Sequence, residues 1–146
     1  MTQLKFSRRP SPVLPEHRPV YKIAQVLLIL SYSRSGKSSL LRLHLFNWAL
    51  KSPQRMQALR DACCDGALRV PTWGFDPALA IALRYALAEK LIFQISNGYQ
   101  LSVKGSQFIT DALKDQEIFS QERMDLVIVG KRITETMVES VAKGWD

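Results

Sequence analysis

The segment that follows residue 38 constrains the fold most, because apolar residues occur on nearly every face of the helix it predicts. Ser38 or Ser39 can cap this helix, since a short hydroxyl accepts a hydrogen bond from the unpaired amides of the first turn. The apolar positions up to the end of the pattern are Leu40, Leu41, Leu43, Leu45, Phe46, Trp48 and Leu50. A helix that is apolar on nearly all sides belongs at the centre of a hydrophobic core.

The composition fits one globular domain. The chain has 146 residues, of which 47% are hydrophobic and 23% are charged, and a chain of this length can bury a core without disulfides. The longest apolar run, residues 78–83, is far too short to cross a bilayer. Cys63 and Cys64 are adjacent and are the only cysteines, which excludes a disulfide framework and a cysteine-rich zinc site.

The N-terminal residues predict a cytoplasmic protein. Residues 1–19 form a basic, proline-rich tail, in which Pro10, Pro12 and Pro15 occupy the place of a signal peptide's apolar core. A reducing compartment also suits the free thiols. We therefore expect a cytoplasmic location and no membrane association.

Prolines and turn residues divide the rest of the chain into helices. Residues 20–32 repeat apolar side chains at helical spacing. Ser52-Pro53 and Asp76-Pro77 each combine a capping residue with a proline in the first helical turn, and predict two further helices. The stretch 67–75 between these helices is interpreted as a loop with a short strand.

A hairpin follows the helix that begins at Pro77. Residues 91–95 and 99–103 are rich in strand formers, and Asn97-Gly98 lies between them as a turn signal. Helical spacing resumes at 104–113 and again at 119–143, with a bend expected at Gly130.

A helix followed by a hairpin, after two or three earlier helices, predicts a mainly α protein with a small β-hairpin. We interpret it as a winged-helix-like domain with extra N- and C-terminal helices. The domain would span residues 20–115, followed by a C-terminal helical extension over residues 116–146. A purely helical bundle with an incidental hairpin is the alternative.

Residues 31–38, Ser-Tyr-Ser-Arg-Ser-Gly-Lys-Ser, look like a phosphate-binding loop, in which backbone amides and a lysine hold phosphates. However, Ser31 replaces the first glycine of that motif, and the preceding segment predicts a helix where the motif needs a strand. The chain also lacks the repeated βαβ units of a nucleotide-binding sheet. We therefore interpret this stretch as an interhelical loop whose serine caps the next helix.

No catalytic or metal-ligating group stands out. His17 and His44 do not cluster, and His44 has no acidic residue three or four positions away. No combination of serine, histidine and aspartate, and no pair of carboxylates, is typical of a catalytic site. The sequence predicts a non-enzymatic protein that needs no cofactor and no metal.

The charge is uneven along the chain. The net charge of +7 divides into +10 over residues 1–104 and −3 over residues 105–146. Such a basic body suits either phosphate contacts or an acidic protein partner, and a solvated basic surface without such a role is the simpler alternative. The candidate DNA-binding residues are Arg34, Lys37, Arg42, Arg84 and Lys104.

The helix before the hairpin favours protein contact over base reading. Recognition of bases needs polar side chains on the helix, whereas residues 78–90 carry only Arg84, Glu89 and Lys90 as charged groups. The candidate partner-binding residues are Leu79, Leu83, Tyr85 and Leu87.

Three segments carry a family resemblance. Residues 22–52, from Lys-Ile-Ala-Gln to Ala-Leu-Lys-Ser, residues 101–108, and residues 130–137, Gly-Lys-Arg-Ile-Thr-Glu-Thr-Met, resemble the small middle component of bacterial ABC-three-component systems. They are also similar to the small subunit of Lamassu-type anti-phage defence complexes. The resemblance implies a non-enzymatic adaptor that assembles with an SMC-like ATPase and an effector, often a nuclease. The ATP site would then lie in the ATPase, and not in the Gly-Lys-Ser loop.

Two other functions compete with the adaptor. A free-standing winged-helix transcriptional regulator would bind one operator with marked preference and steep salt dependence. A small nucleotide-binding enzyme would use the loop at Lys37.

Overall fold

The computed structural model describes residues 19–145, which form a mainly helical fold with a small antiparallel sheet. The helices are α1 (Pro19–Ser31), α2 (Leu40–Ala49), α3 (Pro53–Asp65), α4 (Pro77–Ala88), α5 (Val103–Ala112), α6 (Ser120–Val129) and α7 (Glu135–Ala142). The strands are β1 (Lys37–Ser38), β2 (Ile92–Ile95) and β3 (Gly98–Leu101), and short 3-10 turns occur at Arg34–Gly36 and Lys143–Trp145. The predicted tail over residues 1–19 lies outside the described residues except for Pro19, which begins α1.

Helix α1 is more deeply buried than its sequence pattern indicates. The spacing predicts one apolar face, but every residue from 22 to 30 is buried. The reason is that α1 packs against α2, α4, α5 and the sheet, so that little of its surface faces water. Even Lys22 is buried, and its Nζ donates hydrogen bonds to Asn47 Oδ1 at 2.8 Å and to Gln25 Oε1 at 3.3 Å. Helix α2 is also largely buried, as the sequence predicts, with Leu40 as its one strongly exposed apolar residue.

The hairpin forms as predicted and gains a third strand. Strand β3 lies in the middle of the sheet, paired antiparallel with β2 on one side and with β1 on the other. Lys37 of β1 is opposite Gln100, and Ser38 is opposite Tyr99. Sequence reasoning missed β1 because two residues are too short to give a strand pattern.

Helix starts follow the predicted capping residues with one exception. Ser39 Oγ accepts a hydrogen bond from the Arg42 amide at 3.1 Å, and Asp76 Oδ1 accepts one from the Ala78 amide at 3.0 Å. Ser52 begins α3 but makes no such cap, because its hydroxyl lies 2.8 Å from Gln54 Oε1.

Two predicted elements differ in the structure. The stretch 67–75 forms no strand; it is a loop held by Trp73, whose Nε1 donates to the carbonyl of Leu41 at 3.1 Å. The helix predicted over 119–143 is divided into α6 and α7, because Thr134 caps a new helix by accepting a hydrogen bond from the Met137 amide. None of the helices in the described part has the length and apolarity that crossing a membrane requires.

The C-terminal helices pack directly against the earlier ones. An ion pair between Arg60 of α3 and Asp125 of α6 joins the two helices, and Tyr21 of α1 donates a hydrogen bond to Glu122 Oε2 at 2.9 Å. The segment predicted as an extension therefore contributes residues to the common core, among them Leu126, Val129 and Val138.

We predict that Gly105→Ala destabilises the protein, although alanine is normally the better helix former. A β-carbon at residue 105 of α5 would overlap the carbonyl oxygen of Leu91. The free energy of unfolding should fall by about 2 kcal/mol, as expected for an overpacked site. Denaturant titration measures the loss. Gly74→Ala is the control, because nothing lies within 4 Å of the added carbon; an unchanged midpoint for Gly105→Ala would contradict the packing.

We also predict that Asp76 makes the stability pH-dependent. Burial alone would raise the pKa of Asp76, but hydrogen bonds from Asn47, Lys51 and the Ala78 amide lower it from 3.8 to about 2. A lowered pKa means that the carboxylate stabilises the fold above pH 3.8 and that this contribution is lost as the pH falls towards 2. Asp76→Asn keeps a capping oxygen but loses the charge that pairs with Lys51, so stability at neutral pH should fall by up to about 1 kcal/mol and should depend less on pH below neutrality. Asp61→Asn, at an exposed position, should lose stability at acidic pH as steeply as the unaltered chain does.

Candidate functional site

A cationic cleft lies between the loop after α1 and the segment that joins α6 to α7. Its volume is about 260 Å³, and it is lined by Arg34, Lys37, Arg42, Lys131, Ile133, Thr134 and Glu135. We call this set the cationic cleft. Its residues come from two parts of the chain that are about a hundred positions apart.

The loop after α1 projects two of the cations into solvent. Ser35 and Gly36 adopt left-handed backbone angles, with φ of 57° and 67°, and this sharp turn connects α1 to β1. Arg34 and Lys37 lie on either side of the turn and are both exposed. Within residues 19–145, neither side chain forms an ion pair with a carboxylate.

Arg42, one of the predicted DNA-binding residues, forms the floor of the cleft and is buried rather than exposed. Only 3% of its surface is exposed. Its Nε donates to the carbonyl of Ile133 at 2.8 Å, and its terminal nitrogens donate to Ser33 Oγ and to the carbonyl of Gly130. The guanidinium also lies 4.5 Å from the centre of the Phe46 ring.

The charge of Arg42 persists at neutral pH despite its burial. Desolvation lowers the pKa of its guanidinium from 12.5 to about 10, while the negative charge of Glu135 acts in the opposite direction. Arg42 therefore adds a positive charge beneath the cleft, but its donors are committed to the protein and do not face an external ligand.

Glu135 bridges the two sides of the cleft. The backbone amide of Ser39 donates to Glu135 Oε2 at 2.9 Å, and the Ser39 hydroxyl donates to Oε1 at 2.6 Å. Ser39 caps α2, so the carboxylate of Glu135 sits where the amides at a helix N-terminus favour an anion. Neither Lys131 nor Glu135 was predicted as a site residue, because the sequence pattern predicted one continuous helix there. Thr134 followed by Glu135 was the available signal for a new helix start.

The partner-binding face of α4 is only partly as predicted. Leu79 and Leu83 are wrong as surface residues, since they are 0% and 3% exposed and pack in the protein's own core. Tyr85 is 54% exposed, as a contact residue must be, whereas Leu87 is half-buried against the core. The predicted residues failed because the helix is apolar on several faces, so its sequence does not tell which face is outward.

The outward face of α4 carries two apolar side chains. Ile81 is 41% exposed, and Tyr85 lies one turn further along the helix. Phe93 on the adjoining β2 is 45% exposed. We call Ile81, Tyr85 and Phe93 the α4–β2 apolar set.

The predicted DNA-binding residues do not form one site. Arg34 and Lys37 lie in the cationic cleft, whereas Arg84 and Lys104 do not line it. Both are exposed, and Lys104 Nζ donates to the carbonyl of Glu89 at 2.8 Å, at the end of α4.

Burial disfavours the charged forms of His44 and Cys63. Burial lowers the pKa of His44, against the opposing charge of Asp76, and the ring lies 4.9 Å from that of Phe75. Burial also raises the pKa of the Cys63 thiol, which disfavours a reactive thiolate. In the part of the chain that the structure describes, no three ligating side chains of histidine, cysteine, aspartate or glutamate gather as a metal site.

No protein-family model, no curated protein and no solved structure matches this chain. The family resemblance of residues 22–52, 101–108 and 130–137 therefore stays a prediction.

We predict that Arg42 is a stability residue. Arg42→Lys keeps the charge but loses the fork of donors, so the buried carbonyls of Gly130 and Ile133 lose partners. The free energy of unfolding should fall by about 3 kcal/mol, which denaturant titration measures. Arg34→Lys, at the exposed rim of the same cleft, should leave the midpoint unchanged. Equal effects of the two substitutions would contradict this assignment.

Proposed function

We propose that the chain is a non-enzymatic adaptor subunit of an anti-phage defence complex. It would bridge an SMC-like ATPase and an effector, often a nuclease, as the family resemblance implies. The observation that carries the proposal is the α4–β2 apolar set, because exposed apolar side chains on neighbouring elements favour contact with a protein.

The topology supports a winged-helix-like identity for the domain. A winged helix places a short first strand between its first helices and pairs it with the last strand of the hairpin. Here β1 follows α1 and pairs with β3, and β3 pairs with β2. Helix α4 precedes the hairpin and packs on α1, and this order supports our interpretation of α4 as the counterpart of a recognition helix. Three helices, α2, α3 and α4, lie between β1 and the hairpin.

The chemistry of α4 disfavours base reading in that position. A recognition helix needs side chains that donate to and accept from base edges. The outward face of α4 instead presents Ile81 and Tyr85, with Arg84 as its one charged residue before the helix ends. A protein surface is therefore the partner that this face suits.

Contact with nucleic acid would be made elsewhere and without sequence preference. The cationic cleft presents exposed cations rather than a base-reading surface, which suits phosphate contacts. A free-standing transcriptional regulator remains the second candidate, favoured by the exposed positions of Arg84 and Lys104 beside the hairpin.

We predict that the double variant Ile81→Asp, Tyr85→Ala loses binding to the SMC-like ATPase by more than about tenfold, because a charge replaces buried interface area. Co-purification and calorimetry with the co-expressed ATPase measure the loss. Val127→Asp is the matched control, since Val127 of α6 is 67% exposed and lies on another helix; it should bind as the unaltered chain does. Absence of binding by the unaltered chain, or equal loss in both variants, would refute the adaptor.

The regulator is tested with the same chain and DNA alone. A regulator requires at least about a thousandfold preference for one sequence over random DNA, and selection from a random-sequence pool measures that preference. The adaptor proposal expects no enriched sequence. An enriched operator whose binding depends on Arg84 would favour the regulator instead.

A further inference from the structure

We propose that the cationic cleft is a binding site for a backbone phosphate of nucleic acid. Glu135 competes with that phosphate for the site. The proposal deepens the nucleic-acid contact in the proposed function, but it does not depend on which proteins the chain bridges. It also gives Lys37, in the loop between α1 and α2, a role in binding an anion.

The cationic cleft carries more positive than negative charge. Arg34, Lys37 and Lys131 are exposed at its rim, Arg42 lies beneath them, and Glu135 is the one carboxylate in the lining. Within the described residues 19–145, no ion pair engages the three rim cations. Their charges are therefore available to an anion that enters from solvent.

Glu135, the carboxylate in the lining of the cleft, is held by a residue at the N-terminus of α2. Both oxygens of Glu135 accept hydrogen bonds from Ser39, one from the backbone amide and one from the hydroxyl. An amide and a hydroxyl are donors that also bind phosphate oxygens in proteins, and Ser39 lies at the N-terminus of α2, where the helix dipole favours an anion. Glu135 thus identifies the position that an external phosphate oxygen would take.

The fold around the cleft favours a backbone phosphate over a bound nucleotide. The element before the loop is helix α1 and β1 pairs antiparallel with β3, so the parallel sheet of a nucleotide-binding fold is not formed here. The cleft is open and carries its cations at the rim. Such a surface suits a strand that passes across it, as in sequence-independent contact with a nucleic-acid backbone.

Entry of the phosphate would change the protein as well. Glu135 is the first residue of α7, and its contact with Ser39 ties this helix to α2. A phosphate that takes the Ser39 donors releases Glu135, so the first turn of α7 loses one of its anchors. Nucleic-acid binding and the mobility of α7 are therefore linked.

The decisive experiment compares Glu135→Gln with Glu139→Gln. Both substitutions remove one negative charge from α7, but only residue 135 competes for the cleft; Glu139 is exposed and does not line it. Binding of a fluorescent mixed-sequence DNA duplex, measured by anisotropy, should tighten about threefold to tenfold more in Glu135→Gln. Equal effects of the two substitutions would overturn the proposal.

The phosphate contacts are tested by salt dependence. Lys37→Ala and Lys131→Ala should each flatten the plot of log binding constant against log salt by about 0.9, the value for one phosphate contact. Lys143→Ala, at an exposed basic position outside the cleft, should leave the slope unchanged. An unchanged slope in both cleft variants would also overturn the proposal.

Two further measurements use the unaltered chain and do not depend on the folding of a variant. Saturating duplex should speed amide hydrogen exchange in the first turn of α7, and unchanged exchange would contradict displacement of Glu135. Inorganic phosphate at the same phosphate concentration should compete weakly; competition as strong as that of the duplex would assign the cleft to free phosphate instead. If these experiments contradict phosphate binding in the cleft, binding of the ATPase by the α4–β2 apolar set is not affected. The phosphate proposal and the adaptor proposal can therefore fail separately.

Discussion

The arrangement of the chain depends on the buried guanidinium of Arg42. A charge removed from water is tolerated only when its donors are satisfied, and here the acceptors are the Ser33 hydroxyl and the carbonyls of Gly130 and Ile133. Those acceptors belong to the end of α1 and to the segment between α6 and α7, while Arg42 belongs to α2. One side chain therefore fixes the relative position of three parts of the chain. The same bonds hold the walls of the cationic cleft, so the cleft is a consequence of how the core is closed.

Local signals in the sequence were enough to predict most of the helices and the hairpin. Asp76 shows why, since an aspartate followed by proline specifies a helix start through contacts only two residues away. The predictions that were wrong concern elements whose structure depends on residues far away in the sequence. Strand β1 exists because Lys37 and Ser38 pair with β3, some sixty positions later. The break between α6 and α7 likewise depends on Arg42, which takes up carbonyls that a continuous helix would use itself.

The candidate site was harder to predict than the fold, because exposure is not a local property. Leu79 and Tyr85 belong to the same apolar helix, yet the first is wholly buried and the second is half exposed. Only the packing of α4 on α1 separates them. The charge of a side chain likewise does not tell whether that side chain is exposed. Arg42 and Arg34 are equally basic in the sequence, but one is a core residue and the other lines the rim of the cleft, where Lys131 joins it from far along the chain.

Helix α2 connects the two candidate surfaces. Its first turn contributes Arg42 to the lining of the cationic cleft, and Asn47 and Lys51, near its C-terminal end, bind Asp76, the residue that caps α4. A helix of this length spans about 15 Å, and it is buried along most of its course, so it moves as a rigid body or not at all. In the adaptor that we propose, one buried helix therefore joins the cleft that would take a phosphate to the helix whose outward face would contact a protein partner.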